Sequence, residues 1–288
     1  MPMHWIAEST MKAPVNKIIP FSNVDGPGNR CAIFFQSCPF ACLYCHNPET
    51  IQMCNNCGSC VSQCPTQVLT MEEGKVHWNQ DLCVNCDTCI HTCPHLASPK
   101  IQWMDVDELC QRVKKYRLFI RGITVSGGEC MNQAAFLEEF FQEVRKLGLG
   151  ILIDSNGFYD FSHYSSLLNL CDGVMLDVKA VNPAFHQTLC AQDNHTVLKN
   201  LDYLLSVNKL AEVRTVLLPH HEKENRETIA YVVKHIDNRC RYKLIAYRSF
   251  GVRSAGVEEF GFGILNEKEM KEYEGFAKSL GNVTTTIV

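Results

Sequence analysis

Short apolar runs alternate with longer amphipathic segments along most of the chain that follows residue 100. The short runs are rich in β-branched residues, as in buried strands, whereas apolar residues recur every three or four positions in the longer segments, as on one face of a helix. Repeated strand and helix units predict an α/β fold around a parallel sheet, here a partial (β/α)6 TIM-like barrel. The predicted strands are Ala32–Phe35, Ile123–Ser126, Ile151–Asp154, Val174–Val178, Val213–Leu217 and Lys243–Ala246, and the helical stripes are Phe136, Leu137, Phe140, Phe141, Val144 and Leu147, then Val197, Leu201, Leu204 and Leu205, then Ile229, Val232, Val233 and Ile236.

A segment of different texture interrupts this pattern after the first predicted strand. Between Cys54 and Pro94 the sequence is dominated by Cys, Asn, Gln, Thr and Gly and has few large apolar residues. A segment of about fifty residues is near the size at which bound metals replace a hydrophobic core as the source of stability. We therefore predict two structural units, with residues 1–50 and 101–288 forming the barrel and residues 51–100 forming an insertion.

The overall composition is that of a folded enzyme. The chain has 288 residues, is 46% hydrophobic and carries a net charge of −4. This charge offers no field to gather nucleic acid or an anionic membrane, and no apolar run reaches the length that spans a bilayer. The stretch from Met1 to Lys17 lacks the apolar segment of a secretory signal, so we expect a cytoplasmic protein with neither nucleic acid nor membrane as a partner.

Cysteine content is the strongest anomaly in the composition. A reducing compartment disfavours disulfides, so the 17 cysteines point to metal binding. Twelve of them fall between Cys31 and Cys93, which no even distribution along the chain would give. The other five are scattered, and we interpret each as a small buried apolar residue; they are Cys110, Cys130, Cys171, Cys190 and Cys240.

The insertion holds two cysteine runs with the same spacing, CxxCxxCxxxCP. Each run resembles the bacterial ferredoxin motif, in which three close thiolates hold one [4Fe–4S] cluster and the distal cysteine ligates the other. Cys₄ zinc sites are the alternative, since CxxC pairs also bind zinc. The resemblance implies a ferredoxin-like 2[4Fe–4S] domain, with one cluster on Cys54, Cys57, Cys60 and Cys93 and the second on Cys64, Cys83, Cys86 and Cys89.

A third cysteine set, of different spacing, directly follows the first predicted strand. Cys38, Cys42 and Cys45 are three ligands with no obvious fourth cysteine, so a [4Fe–4S] cluster here would keep one iron open, as catalytic metal centres do. A zinc site completed by His46 is the alternative. The CxxxCxxC spacing, with Tyr44 before the last cysteine, resembles the radical S-adenosylmethionine superfamily. This resemblance implies that the open iron binds S-adenosylmethionine and that one electron cleaves it to methionine and a 5′-deoxyadenosyl radical.

The residues around this motif resemble a narrower family, the glycyl-radical-enzyme activating enzymes. The matching segments are DGPG at Asp25 to Gly28 with Arg30, then the HNPE sequence that includes Asn47, and the insertion behind it. Within the family the resemblance is to the YjjW type. It implies that the adenosyl radical removes a Cα hydrogen from a glycine of a partner glycyl-radical enzyme, with flavodoxin or ferredoxin as the electron donor.

Polar residues at the carboxyl ends of the predicted strands are expected to face the active site of a barrel. Ser126 to Glu129 is similar to the family's GGE motif, whose backbone at Gly127 and Gly128 approaches the amino group of S-adenosylmethionine. Asp154 to Gly157 resembles its DTNG motif and Asp177 to Lys179 its DxK motif. The resemblance places Asp154 near the amino group, Lys179 near the carboxylate, and a monovalent cation among Asp154, Ser155, Met175 and Asp177.

The last two predicted strands carry the remaining expected contacts. Arg214 and Val216 resemble the segment that contacts the nucleoside and carboxylate. Arg248 departs from the family, because it stands where many relatives have an adenine-side histidine; a guanidinium plane can also stack on adenine. The sequence therefore predicts a radical enzyme with three [4Fe–4S] clusters, an activase, with a small-molecule radical enzyme or an iron–sulfur electron carrier as the alternatives.

Overall fold

The structure, a computed structural model, describes residues 11–288. A mixed α/β architecture is built on one large sheet, whose strand order is β11–β10–β9–β8–β7–β6–β2–β1–β5. The strands of this sheet are β1 (Ala13–Ser22), β2 (Arg30–Phe35), β5 (Gln102–Met104), β6 (Gly122–Gly127), β7 (Gly150–Ser155), β8 (Gly173–Asp177), β9 (Leu210–Leu217), β10 (Arg241–Ala246) and β11 (Thr284–Ile287). A separate hairpin is formed by β3 (Leu69–Glu72) and β4 (Lys75–Trp78).

The sheet is mostly parallel. From β2 through β6 to β11 every neighbouring pair of strands runs parallel, whereas β1 pairs antiparallel with both β2 and β5. All six predicted strands are present, each extended by one to three residues at its amino end. The prediction missed β1, β5 and β11, which lie at or near the two edges of the sheet.

Helices connect the parallel strands and bury one apolar face each. The predicted stripes lie on α3, α6 and α7, where Phe140, Leu201 and Ile229 are fully buried. The helices are α1 (Thr88–Thr92), α2 (Val106–Lys114), α3 (Ala134–Lys146), α4 (Ser165–Leu170), α5 (Pro183–Cys190), α6 (His195–Ser206), α7 (Glu222–His235), α8 (Ser254–Phe260) and α9 (Glu267–Leu280). None of the helices in residues 11–288 has the length and apolar character needed to cross a membrane.

The segment between β2 and β5 has its own small hydrophobic cluster. Cys60, Leu69 and Cys89 are its buried members, and they are separate from the large core under the nine-stranded sheet. A single backbone bridge between Gln52 and Ala97 joins the two ends of the segment. The predicted division into residues 1–50 with 101–288 and residues 51–100 stays a prediction, and residues 1–10 of it lie outside the described part.

Candidate active site

An open cavity lies at the carboxyl ends of the parallel strands. In a parallel sheet these ends share one edge, so side chains that follow different strands meet there. The cavity lining includes most of the residues predicted from the strand ends and the cysteine motif: Cys38, Cys42, Tyr44, Cys45, Gly127, Gly128, Asp154, Ser155, Asp177, Lys179 and Val216. Phe40, His46, Ser126, Asn156 and Ile245 also line it and were not among the predicted site residues.

Backbone hydrogen bonds fix the loop that carries the three cysteines. Ser37, two residues after the end of β2, has a φ of 81°, a conformation that costs a non-glycine residue energy and turns the chain sharply. Its N–H donates to the carbonyl of Thr50 at 2.9 Å, and the N–H of Cys38 donates to the carbonyl of Ile51 at 2.9 Å. On the other side, Leu43 N–H donates to the carbonyl of Leu189 at the end of α5 at 2.9 Å. The loop is therefore held between two parts of the chain.

Two neighbouring side chains touch the cysteine sulfurs. The Nδ2 of Asn156 donates to the Sγ of Cys38 at 3.4 Å. The interaction with the thiol of Cys190, which is fully buried, lowers the pKa of Cys42. Burial raises the pKa of Cys45 to about 11. The sequence predicted only a packing role for Cys190 and no role for Asn156, although Asn156 belongs to the strand-end motif from Asp154 to Gly157.

The two glycines after β6 allow the chain to pass close to the cysteine loop. A Cβ on Gly127 would lie 2.2 Å from the carbonyl oxygen of Phe35, and one on Gly128 would lie 2.3 Å from that of Ser37. Gly127 also has a φ of +121°, which side chains rarely tolerate. These positions therefore require glycine for backbone packing, whether or not the same backbone approaches a ligand.

Glu129 lies beneath the cavity. Its carboxylate accepts hydrogen bonds from the N–H groups of Met131 at 3.0 Å and Asn156 at 2.8 Å, and from the Oγ of Ser155 at 3.0 Å. Burial raises its pKa to about 7. Glu129 thus ties the turn after β6 to the turn after β7, and it positions Ser155 and Asn156.

Charged side chains on β7, β8 and β9, with Lys179 just after β8, form a largely buried network beside the cavity. Lys179 Nζ contacts Asp177 at 2.8 Å, and Arg214 Nη1 contacts Asp154 at 3.0 Å. Although burial acts to lower it, Asp154 and Glu212 hold the pKa of Arg214 above its ordinary value. Burial raises the pKa of Asp154. Lys179 lies 5.5 Å from the ring centre of Tyr44, so a cation faces the aromatic residue of the cysteine motif.

Besides Glu129 and Arg214, three more residues predicted for this site lie outside the cavity lining. Met175 is fully buried in β8, Asn47 is exposed beside the cysteine loop, and Arg248 is exposed after β10. His46 Nε2 donates to the backbone carbonyl of Arg248 at 2.9 Å, which joins the cysteine motif to the end of β10 through the backbone of Arg248. The structure places the Arg248 side chain at the surface rather than in the cavity.

The cysteine motif and its surroundings suit an iron–sulfur cluster with a polar ligand. Three thiols face a cavity large enough for further groups, and the hydroxyl of Tyr44, itself a cavity residue, is buried with no hydrogen-bond partner among residues 11–288. Within the same range, no group of three or more His, Cys, Asp or Glu side chains is arranged around a single metal ion. The donors expected to hold a monovalent cation do not suit one as they stand, because other side chains already engage them.

The eight cysteines of the insertion surround two further cavities. Cys54, Cys57, Cys60 and Cys93 line one of them. Cys64, Cys83, Cys86 and Cys89 line the other. These are the same two sets of four that the ferredoxin resemblance assigns to its two clusters.

Comparison with known proteins defines the class. Residues 32–233 match the Radical SAM superfamily, and the chain belongs to that superfamily. A radical SAM methyltransferase from Sphaerobacter thermophilus has a similar fold, with a TM-score of 0.56 at 10% identity, over 97% of this chain and 77% of that one. SuiB of Streptococcus suis bound to S-adenosylmethionine gives a TM-score of 0.57 at 9% identity, over 88% of this chain and 48% of SuiB.

Similar curated proteins narrow the comparison to activating enzymes. A putative glycyl-radical enzyme activating enzyme of Haemophilus influenzae is 29% identical over 300 residues, which cover 96% of each chain. The pyruvate formate-lyase 1-activating enzyme of Escherichia coli K12 is 28% identical over 79% of this chain and 78% of its own. The trans-4-hydroxy-L-proline dehydratase activating enzyme of Clostridioides difficile is 31% identical over 67% of this chain and 70% of its own.

Proposed function

We propose that this protein is a glycyl-radical-enzyme activase. The observation that carries the proposal is the cavity in which three thiols face the polar ends of neighbouring parallel strands. The similarity over 96% of a putative activating enzyme, a span that includes the cysteine-rich insertion, supports the same function. A [4Fe–4S] cluster held by Cys38, Cys42 and Cys45 supplies, when bound, the electron that splits S-adenosylmethionine into methionine and the 5′-deoxyadenosyl radical.

The residues of the cavity bind and orient the substrate in this proposal. The ammonium group of Lys179 attracts the carboxylate of the methionine part, and the backbone of Gly127 and Gly128 lies open for its amino group. Asp154 lies on the same side of the cavity and favours a positively charged amino group. Tyr44 and Val216 exclude water beside the reacting sulfur, which keeps the radical from side reactions.

The resemblance also assigns contacts to residues at the rim. Asn47 and Arg248 lie outside the cavity lining, so a contact between either of them and S-adenosylmethionine requires a side-chain movement. The Arg248 backbone is fixed through His46, and its exposed guanidinium has the length to turn over the end of β10. In this proposal Arg248 stacks on the adenine when the ligand is bound.

The insertion, residues 51–100, is proposed to be a ferredoxin-like domain with two [4Fe–4S] clusters. Its support is the grouping of eight cysteines around two cavities, four around each. These clusters either relay electrons from a flavodoxin or ferredoxin to the cysteine motif, or provide a structural or docking module. The donor is a proposal from family resemblance alone, as is the cytoplasm as the working compartment.

Six parallel strands, β2 and β6 to β10, are proposed to form the partial (β/α)6 barrel of the activase. Their carboxyl ends surround the cavity, and a six-stranded barrel is open at its side compared with a full eight-stranded one. A glycine-bearing loop of a partner enzyme enters through that opening, where the radical removes a Cα hydrogen. The partner retains the unpaired electron as a glycyl radical.

One anaerobic experiment tests the proposal. The reconstituted, reduced protein is mixed with S-adenosylmethionine and purified candidate glycyl-radical enzymes, and electron paramagnetic resonance and chromatography detect the glycyl radical and 5′-deoxyadenosine. Formation of both with one candidate is expected. Cleavage of S-adenosylmethionine with no glycyl radical on any candidate would favour a small-molecule radical enzyme. If no 5′-deoxyadenosine forms, the result would favour an iron–sulfur electron carrier.

A further inference from the structure

The residues expected to surround a monovalent cation are already paired with other side chains. Arg214 donates from Nη1 to Asp154 at 3.0 Å and from Nη2 to the sulfur of Met175 at 3.0 Å. Lys179 contacts Asp177 at 2.8 Å. The other expected donor, Ser155, donates a hydrogen bond from its hydroxyl to Glu129. Arg214 thus already occupies the positions on Asp154 and Met175 that a metal ion would take, and Lys179 occupies one oxygen of Asp177.

Arg214 is held rigidly in this position. Its Nε donates at 2.7 Å to Glu212, a carboxylate whose side chain is only 2% exposed. Glu212 is in turn contacted by Arg241 at 3.2 Å and Lys243 at 3.5 Å, both on the neighbouring strand β10. All three nitrogens of the planar guanidinium thus have partners, and such a fork is pre-organised by its own geometry.

The register of the strands explains why the guanidinium reaches these donors. Asp154 on β7 is directly beside Met175 on β8, and Asp177 on β8 is directly beside Arg214 on β9. Side chains two residues apart on a strand share one face, so Glu212 and Arg214 point the same way. The cationic group therefore lies at the centre of the expected ligand set because of backbone pairing and not because of a chance rotamer.

The charges of this wall are already balanced. Two carboxylates, Asp154 and Asp177, face two side-chain cations, Arg214 and Lys179. These four side chains are between 10% and 31% exposed, so they are partly shielded from water. An added metal cation would leave an uncompensated positive charge there, and buried unpaired charges are costly. S-adenosylmethionine itself brings a sulfonium, which increases that cost.

We propose that Arg214 takes the place of a monovalent metal ion in this site, so that S-adenosylmethionine binds without K⁺ or Na⁺. The inference rests on the proposed function, because S-adenosylmethionine is the ligand concerned. In the absence of that ligand too, the site among Asp154, Met175 and Asp177 binds no alkali-metal ion while Arg214 is present.

Two measurements on the full-length, cluster-loaded protein test this inference. The first is the dissociation constant of S-adenosylmethionine in KCl, NaCl and tetramethylammonium chloride at equal ionic strength, which we expect to agree within about twofold. Tightening by about tenfold in K⁺ would overturn the inference. Absence of binding in all three salts would instead reject the proposed function, and the second measurement then decides the inference alone.

The second measurement is equilibrium dialysis against thallous ion, a K⁺ analogue, in the absence of S-adenosylmethionine. The wild-type protein should show no K⁺-competed site, whereas Arg214→Met should gain one. Lys243→Met is the matched control, since Lys243 contacts Glu212 but none of the expected cation ligands, and it should gain none. If Arg214→Met does not fold, the wild-type protein still tests the inference. Binding of thallous ion to the wild type that K⁺ displaces, and that Asp154→Asn abolishes, would overturn it.

Discussion

The hydrogen bond from Asn156 to Cys38 should set part of the reduction potential of the cluster proposed at this motif. Asn156 Nδ2 lies 3.4 Å from the sulfur, and the residue is only 6% exposed. Its Oδ1 accepts from the N–H of Phe158 at 3.0 Å, which orients the amide so that Nδ2 faces the thiol. Hydrogen bonds to cluster sulfurs are one of the factors that set cluster potentials. Asn156→Leu removes this hydrogen bond and should therefore change the potential.

The size of the effect follows from the charge of the sulfur. A hydrogen bond to an ionised group contributes about 1.5 kcal/mol, and the reduced cluster, being more negative, gains more from it than the oxidised one. If about half of that energy is the difference between the two states, removal lowers the potential by about 30 mV for one electron. Asn156→Asp keeps the acceptor for Phe158 but replaces the donor with a negative charge, so its shift should be larger, about 60 mV.

A redox titration followed by electron paramagnetic resonance measures this shift. Only one of the three proposed clusters should move, because Asn156 contacts none of the insertion cysteines. Asn132→Leu is the matched control, since Asn132 Nδ2 donates to the carbonyl of Ser37 at 3.0 Å and so touches the cysteine loop without touching a sulfur. Equal potentials for wild type and Asn156→Leu, or an equal shift in Asn132→Leu, would show that this hydrogen bond does not set the potential.

Three further predictions use other contacts of the site. Cys42→Ala should abolish formation of 5′-deoxyadenosine while the protein retains about two thirds of its iron, measured by colorimetric assay, since the insertion ligands are intact. Gly256→Ala should lower the iron content, because its Cβ would lie 2.0 Å from the carbonyl oxygen of Leu43. A Cβ on Gly275 would meet nothing within 4 Å among residues 11–288, so Gly275→Ala should raise the free energy of unfolding by about 0.5–1 kcal/mol. Burial raises the pKa of Glu129 in the folded protein from 4.5 to about 7. The unfolded chain therefore releases this proton at lower pH, so the free energy of unfolding should fall by about 3 kcal/mol as the pH rises from about 4.5 to 7. Urea unfolding should show this decline in the wild type and not in Glu129→Gln.

The sequence was sufficient for the central strands and for the side chains that meet at one edge of the sheet. Buried parallel strands are continuous apolar runs, and these stand out against the amphipathic helices between them. Polar residues that follow such runs, such as Asp154 and Lys179, must meet at one edge of a parallel sheet, and they do. The strands that escaped prediction lie at or near the edges of the large sheet or in the separate hairpin. One of them, β11, alternates exposed and half-buried positions and is mostly threonine, so it has no apolar run to reveal it.

The pairing of charges was beyond the reach of the sequence. Asp154 and Arg214 lie sixty residues apart, and their contact depends on the order and register of β7, β8 and β9. Spacing along the chain cannot show that Arg214 rather than a free ion faces Asp154. The same holds for Cys190, whose role beside Cys42 arises because α5 ends against the cysteine loop.

The cysteine loop depends on distant parts of the chain, and this has a consequence for how the site forms. Arg253 Nη2 donates to the carbonyls of Ala41 and Cys42 at 2.8 and 3.1 Å, across more than two hundred residues. The end of α5 supplies further hydrogen bonds to the same loop. Since these contacts require α5, β10 and α8 to be in place, the three thiols reach their arrangement only when nearly the whole sheet has formed. The two insertion sites draw their cysteines from a single short segment, so they can assemble before the catalytic one.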